Sequence, residues 1–377
     1  MKRSLSMAAF ALLVCGGAQA KILQVNPGDS IQAALDHAEP GDTVAVAPGT
    51  YSGPGGDALV HVRGNGVHLE ATRSALLDAH GYKFGVLVGE AGQPTADACL
   101  PISARDFSMT GFTVMNASHA AVELAGVDGF AVRGTALLEN GGEGVHSLCS
   151  AHGLVSGVFA SGQRGAALRV SDSDHVVVEE SAVTGSAIGT LVENSSFGVV
   201  RHNQLFGNSA GAVVLVRPSH PLPLTDHVRI AENAIIQNDL ENPVAPDGAD
   251  ALGAIPSGAG VLNAGGDHVT IERNIILGND SFGVAGVASP FGPADRRIEP
   301  FVDDQRVAKN VILLNGQNPD PERPGPPGAD VVFVPSVVDF GTGEVVARDP
   351  DYSDDCFGEN RFFTEYPTGV TAGLACP

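Results

Sequence analysis

The stretch RHNQLFGNSAG, residues 201–211, sets Asn203 and Asn208 five positions apart beside Arg201 and His202. Polar residues packed so closely are either a local site or a piece of scaffold, and recurrence decides between the two. The frame returns as AENAIIQND from 231, ERNIILGND from 272 and AKNVILLNG from 308, giving the pairs Asn233/Asn238, Asn274/Asn279 and Asn310/Asn315. Upstream it persists with small or polar substitutes at Gly111/Asn116, Thr135/Asn140, Gly157/Gly162 and Ser181/Ser186. A catalytic patch does not repeat in this way. The asparagines are read as scaffold, stacked in columns whose amides bond along the ladder and to turn backbone.

Successive frames start 24, 22, 24, 22, 30, 41 and 36 residues apart. A unit of 22 to 24 residues, with short apolar runs separated by Gly, Asn and Ser, is too short for a βαβ unit. It fits one coil of a parallel β-solenoid, which buries itself only by stacking on the next coil. Leucine-rich repeats have a similar length, but their leucine pattern is missing. The longer frames read as ordinary coils carrying loops on one side. Parallel crossovers prefer the right hand, so the expected fold is all-β, a right-handed parallel β-helix.

The ends agree. In KILQVNPGDSIQAALDHAEPGDTVAVAPGTY (21–51), Ser30 is the expected helix N-cap, and Ile31, Ala34, Leu35 and Ala38 form an apolar stripe. This short helix caps the first coil and covers an open strand edge. Pro40-Gly41-Asp42 then turns the chain into a strand over 43–47. His37, Glu39 and Asp42 read as solvated cap and turn residues.

The first twenty residues read as an export leader: MKRS, the apolar run MAAFALLVC, and Ala18-Gln19-Ala20 as the cleavage site. The run is too short to span a bilayer, and no membrane insertion is expected. Losing Lys2 and Arg3 with the leader takes the net charge from −22 to −24. That balance argues against nucleic acid, anionic lipid or a bare polyanion as partner. It leaves a neutral or cationic ligand, or an acidic one bridged by a metal ion. Four cysteines remain, an even number in an exported chain, with three ways to pair. Proximity favours Cys99–Cys149 and Cys356–Cys376. No CxxC or His/Cys spacing points to zinc. The expected division is a leader over 1–20, a cap helix and first coil over 21–55, the β-helix over 56–316, and a loop-rich, disulfide-stapled cap over 317–377. The mature chain is expected to be a periplasmic or secreted monomer.

IQAALDHAEPGDTVAVAPGTY resembles the cap and first coil of secreted right-handed parallel β-helix proteins of the pectate-lyase-like superfamily. The stretches 144–155, 216–239 and 255–280 resemble a narrower bacterial family of exported parallel β-helix repeat proteins, which has no established activity. The wider resemblance implies a carbohydrate-active protein of lyase, epimerase or hydrolase type, but equally admits non-catalytic members. The Asp-Pro-His-Asp motif of alginate-type epimerases is absent, SDSDH at 171–175 being only superficially similar. A lysine-dependent lyase is disfavoured, because the mature chain has only Lys21, Lys83 and Lys309.

Strand side chains alternate faces, so the repeat register gives an outward column of Glu123, His146, Arg169, Leu191 and Val213, with Glu193 two beyond Leu191. Neighbouring strands lie about 4.8 Å apart, which makes the first three one polar row. A carboxylate, an imidazole and a guanidinium so placed suit proton abstraction beside a carboxylate, or glycosidic cleavage. The competing reading is a solvated face with cross-strand charge pairing. The loops 217–227 and 238–250 offer Arg217, His220, Asp226, His227, Asp239 and Glu241 as binding residues, with Asp247 and Asp250 nearby, against a reading as acidic covering. Near the C-terminus Asp349, Asp351 and Asp355 alternate as a candidate calcium loop, against an acidic turn. Three functions stay open: an enzyme on an extracellular or periplasmic polysaccharide, a glycan- or surface-binding module, and a structural accessory protein of the envelope.

Overall fold

The computed structural model describes residues 20–246, 251–291, 298–323, 325–339, 344–347 and 354–376. Its strands stack in parallel, coil on coil, as a right-handed β-helix. Each complete coil gives one strand to an eleven-stranded sheet and two shorter strands to a second, twenty-stranded sheet. The first sheet contains Ala120–Ala125, Glu143–Leu148, Ala166–Ser171, Ile188–Glu193, Ala210–Leu215 and Ala259–Ala264 among its rungs. Strands between neighbours on both edges are buried, so their inward residues are plain aliphatics. Val122, Val145, Leu168, Ala212 and Val261 line one inner wall. Each such Val or Leu side chain stabilises the coil by roughly 1.5–3 kcal/mol when fully buried.

The corners are sharp because particular residues adopt left-handed backbone. One corner runs Gly157, Glu180, His202, Glu232, Arg273 and Lys309, another Glu139, Gly162, Gly185, Gly207, Gln237 and Gly278, all with positive φ. Just after most corners sits an inward polar residue, and these form the two ladders. Asn203 Nδ2 donates to Asn233 Oδ1 (3.0 Å), Asn233 Nδ2 to Asn274 Oδ1 (3.0 Å) and Asn274 Nδ2 to Asn310 Oδ1 (3.0 Å). Each amide also donates to a strand carbonyl one coil back, as Asn233 does to Val200 at 2.9 Å. The second ladder runs through Asn208, Asn238, Asn279 and Asn315.

Upstream, two frames differ from the sequence alignment by one residue. The strand register aligns Phe112 with Thr135 and places Val158, whose N–H donates to Ser181, in the first ladder. Ala117 and Gln163 occupy the second. The positions expected from sequence, Gly111, Asn116, Gly157 and Gly162, are positive-φ residues immediately before them. Glycine and asparagine occur at the corners as well as in the frame, so composition does not separate the two.

Glycine recurs in one further column, at Gly189, Gly211 and Gly260, with Ala167 one rung earlier. At Gly211 a Cβ would collide with the Ile235 side chain and sit 2.5 Å from the Gly260 carbonyl oxygen. The coil closes against this wall, and only a bare backbone lets the turn aliphatic in.

The helix Ile31–Leu35 caps the N-terminal end, with Ser30 Oγ accepting from Ala33 N (3.1 Å) and Ile31 and Leu35 buried. At the other end the stack continues past Gly316. Ala329–Val334 adds a rung to the first sheet and Cys356–Gly358 one to the second, and Asn360 accepts from Asn310 at 2.9 Å. Cys356–Cys376 closes this end and Cys99–Cys149 ties a loop to the first sheet. Among the described residues, no helix is long and apolar enough to cross a membrane.

Candidate functional site

The strand pairings align Glu123, His146, Arg169, Leu191 and Val213 in one outward column. A solvated face is the part of the sequence reading that the structure corrects. Glu123 and His146 are buried, and the Arg169 side chain is only 15% exposed. Two loops roof them. One carries Gln93 and Pro94 and is tied down by Cys99–Cys149. The other follows Val216 and is held by Asn194, whose Nδ2 donates to the carbonyls of Arg217 (2.9 Å) and Leu222 (2.7 Å). Beyond the polar row the same face turns apolar. Leu191, Val213 and Leu262 pack into a second cluster that lines a cavity of about 180 Å³.

Under the roof the charged groups form one network. His146 Nδ1 lies 3.1 Å from Glu123 Oε2 and Nε2 3.1 Å from Ser171 Oγ. Ser171 O–H donates to Glu193 Oε1 at 2.7 Å. Arg169 bridges two carboxylates, with Nη1 2.5 Å from Glu143 Oε1 and Nη2 2.5 Å from Glu193 Oε1. Arg217 Nε lies 2.7 Å from Glu193 Oε2, an ion pair without hydrogen-bond alignment. His220 pairs with Asp172 at 2.8 Å.

Burial works against every charge here, and pairing decides the outcome. For His146, desolvation favours the neutral ring, but the charge and hydrogen bond of Glu123 outweigh it and raise the pKa. Desolvation would raise Glu193 and Glu143. Arg169 outweighs it at both, with Arg217 adding to the effect at Glu193, and both carboxyls stay well below their usual range.

Ser171, His146 and Glu123 have the spacing of a serine–histidine–acid triad, but the hydrogen bonds run the wrong way for one. A protonated His146 donates to Ser171, and the serine proton points to Glu193. Ser171 therefore sits between the ring and the Glu193 carboxylate, and Glu123 makes His146 hold a proton more firmly than a free imidazole does.

The network backs a pocket of about 200 Å³ lined by ten residues. Five are Arg or His, namely His119, His146, Arg169, Arg217 and His220, and none is Asp or Glu. The carboxylates stand behind the wall, each paired with a cationic or imidazole side chain of the lining. The sequence-predicted row Glu123, His146, Arg169, Glu193 and the loop residues Arg217 and His220 thus meet in one place.

The remaining loop residues that are described do not join them, and Asp247 and Asp250 lie outside the described residues. Asp226 and His227 sit at an exposed corner, where His227 Nδ1 is 2.7 Å from Asp226 Oδ2. Asp239 and Glu241 line a separate acidic depression of about 280 Å³ with Asp280 and Asp320. Burial raises the Asp239 carboxyl. Asp349 and Asp351 lie outside the described residues. Asp355 is buried and accepts from Gln305 N (2.7 Å), so its carboxylate serves the scaffold.

Sequence reasoning missed Glu143, Ser171, Asp172 and His119. Glu143 pairs with Ala120 and Val145 with Val122, so the outward positions of this strand are 143, 146 and 148, not alternate residues. Ser171 was findable, since it pairs with Glu193 on the adjacent rung.

Residues 102–276 match the family model of the right-handed β-helix region. A search of curated proteins gives no match. Similar solved structures include PfbA, a surface adhesin of Streptococcus pneumoniae, at 15% identity and a TM-score of 0.55, covering 81% of this chain and 77% of that one. Another is the A-module of the mannuronan C-5 epimerase AlgE4 of Azotobacter vinelandii, at 13% identity and a TM-score of 0.51, covering 88% and 90%. At such identities the likeness is one of fold.

Proposed function

We propose that this right-handed parallel β-helix protein is exported and carbohydrate-active, of lyase, epimerase or hydrolase type, and takes a uronate-bearing polysaccharide at the roofed pocket. The observation that carries this is the inversion of charge. In a chain of net charge −22, five of the ten pocket-lining residues are Arg or His and none is acidic. The bulk charge argued against a bare polyanion; the pocket wall supports one sugar carboxylate at a time. The two disulfides fit an oxidising compartment outside the cytoplasm.

Arg169 and Arg217 suit a carboxylate clamp, and drawing charge off that carboxylate eases loss of the proton on the neighbouring carbon. The His119 imidazole, 46% exposed, is the candidate to take it in its neutral form, and protonated His146 the candidate to return one. Return to the opposite face inverts the carbon. Expulsion of the β-linked oxygen instead breaks the chain.

A second reading, a non-catalytic binding module, is favoured by the pairing of every buried carboxylate around the pocket. One experiment separates the two. Oligouronates and neutral oligosaccharides are titrated calorimetrically, and the mixtures are then analysed for products by mass spectrometry and NMR. Uronate-selective binding with turnover supports the enzyme, and binding without product supports the module. No preference for uronates over neutral sugars sinks both.

A further inference from the structure

One corner of the helix carries a column of stacked rings on its surface: His152, His175, Phe197, His227 and His268, all with left-handed backbone. Successive centroids are 5.6, 4.7, 5.0 and 4.5 Å apart. The residue before each ring belongs to a second column that includes Asp174, Asp226 and Asp267. Left-handed backbone turns each ring toward a carboxylate, so His152 bonds Asp128 (2.8 Å) and His175 bonds Asp174 (2.6 Å).

At one place two rings share a single carboxylate. Asp226 Oδ2 lies 2.7 Å from His227 Nδ1, and its Oδ1 lies 2.9 Å from His268 Nδ1. The other nitrogen of His268, Nε2, is 3.1 Å from Asp304 Oδ2. A neutral His268 that donates Nε2–H to Asp304 must turn a lone pair at Nδ1 toward Asp226, setting two acceptors against each other. A proton or a cation between them resolves the conflict. The adjacent rung adds Asp267, whose Oδ1 is shut off from solvent without a hydrogen-bond partner.

We propose that Asp226, His227 and His268 form a binding site for a divalent transition-metal ion of the zinc class, with Asp304 as the positioning residue that orients His268. One ligand atom from each of the three lies within 4.8 Å of the others. Two imidazoles and one carboxylate are a donor set that zinc accepts with water filling the remaining position. Nitrogen donors select it over calcium and magnesium, which take oxygen ligands. An orienting carboxylate on the far side of a ligating imidazole is the usual second partner of such a histidine. The two rings are stacked within 16° of parallel, so their Nδ1 lone pairs lie side by side. Binding therefore requires one ring to turn, which the 47% and 48% exposure of the two side chains permits.

The test is calorimetric titration of the tag-free full chain with zinc chloride and, separately, calcium chloride. One zinc site is expected, with calcium at least tenfold weaker. His227→Ala and His268→Ala should each weaken zinc at least tenfold, and Asp304→Asn by about tenfold. His152→Ala and His175→Ala, on rungs where each ring has its own aspartate, should leave the affinity unchanged. All these side chains are exposed, and circular dichroism confirms that each variant stays folded. The proposal is overturned if the wild type binds no zinc, if the His227→Ala/His268→Ala double variant binds it as tightly as the wild type, or if calcium binds as tightly as zinc. None of these outcomes touches the roofed pocket, so its reading stands or falls separately.

Discussion

His146 and Glu123, 23 residues apart in sequence, face each other across adjacent rungs with Nδ1 3.1 Å from Oε2, buried under a loop that a disulfide holds in place. Two charges removed from water survive there only because each answers the other and both belong to a larger network. The following consequences can be measured.

Arg169→Ala removes the cation shared by Glu143 and Glu193 while leaving both carboxylates buried. Breaking a buried pair from one side costs about 3–5 kcal/mol, and chemical denaturation should show a loss of that order. Arg169→Lys should recover part of it, since an ammonium restores the charge but not the two-sided bridge. A loss under about 1 kcal/mol would mean that water reaches the network freely.

The raised pKa of His146 makes the native state hold a proton that the unfolded chain releases near the ordinary value of 6.5. Its stabilisation is complete below that pH and is lost as pH rises through the higher folded value. In His146→Gln this loss should disappear. Denaturation midpoints between about pH 6 and pH 9 should therefore decline for the wild type relative to the variant. Parallel curves would place His146 outside the native proton balance.

Cys99–Cys149 closes a loop with a sequence separation of 50 and pins the segment bearing Gln93 and Pro94 over the pocket. The double Ser variant should lose about 2–4 kcal/mol of stability. It should also bind oligouronates several-fold more weakly, because the roof must be ordered at the moment of binding. Affinity equal to the wild type would remove the roof from the site.

Asn238 accepts from both nitrogens of Asn208 and donates to Leu205 O (3.1 Å) and Asn279 Oδ1 (3.0 Å). Asn238→Ala leaves the buried Asn208 N–H without an acceptor and should cost about 2–4 kcal/mol. Ser186→Ala, which removes one such acceptor from Gln163 N, should cost about 1 kcal/mol. Equal costs at the two positions would count against cooperative bonding along the asparagine ladder.

The asparagine spacing alone led to the coil, its parallel stacking, the ladders and the register that aligned Glu123, His146 and Arg169. These are local and periodic properties, and a solenoid repeats its neighbours' geometry, so one frame informs the next. What the spacing could not convey was burial. Glu193 and Arg217 are three strands apart along the chain, yet they meet at 2.7 Å because Glu193 pairs with Leu215 on the adjacent rung, two residues before Arg217. Glu143 stayed hidden because the alternation of faces fails between residues 143 and 146.

RHNQLFGNSAG, read with its repeats, determined that this chain winds into a β-helix, since an amide facing into a narrow coil must find its partners on the neighbouring coils. The tertiary structure decided that the outward polar row is a roofed pocket and not a wet face. That outcome depends on where the long loops land and which charges they bring, and no repeat within a coil encodes it.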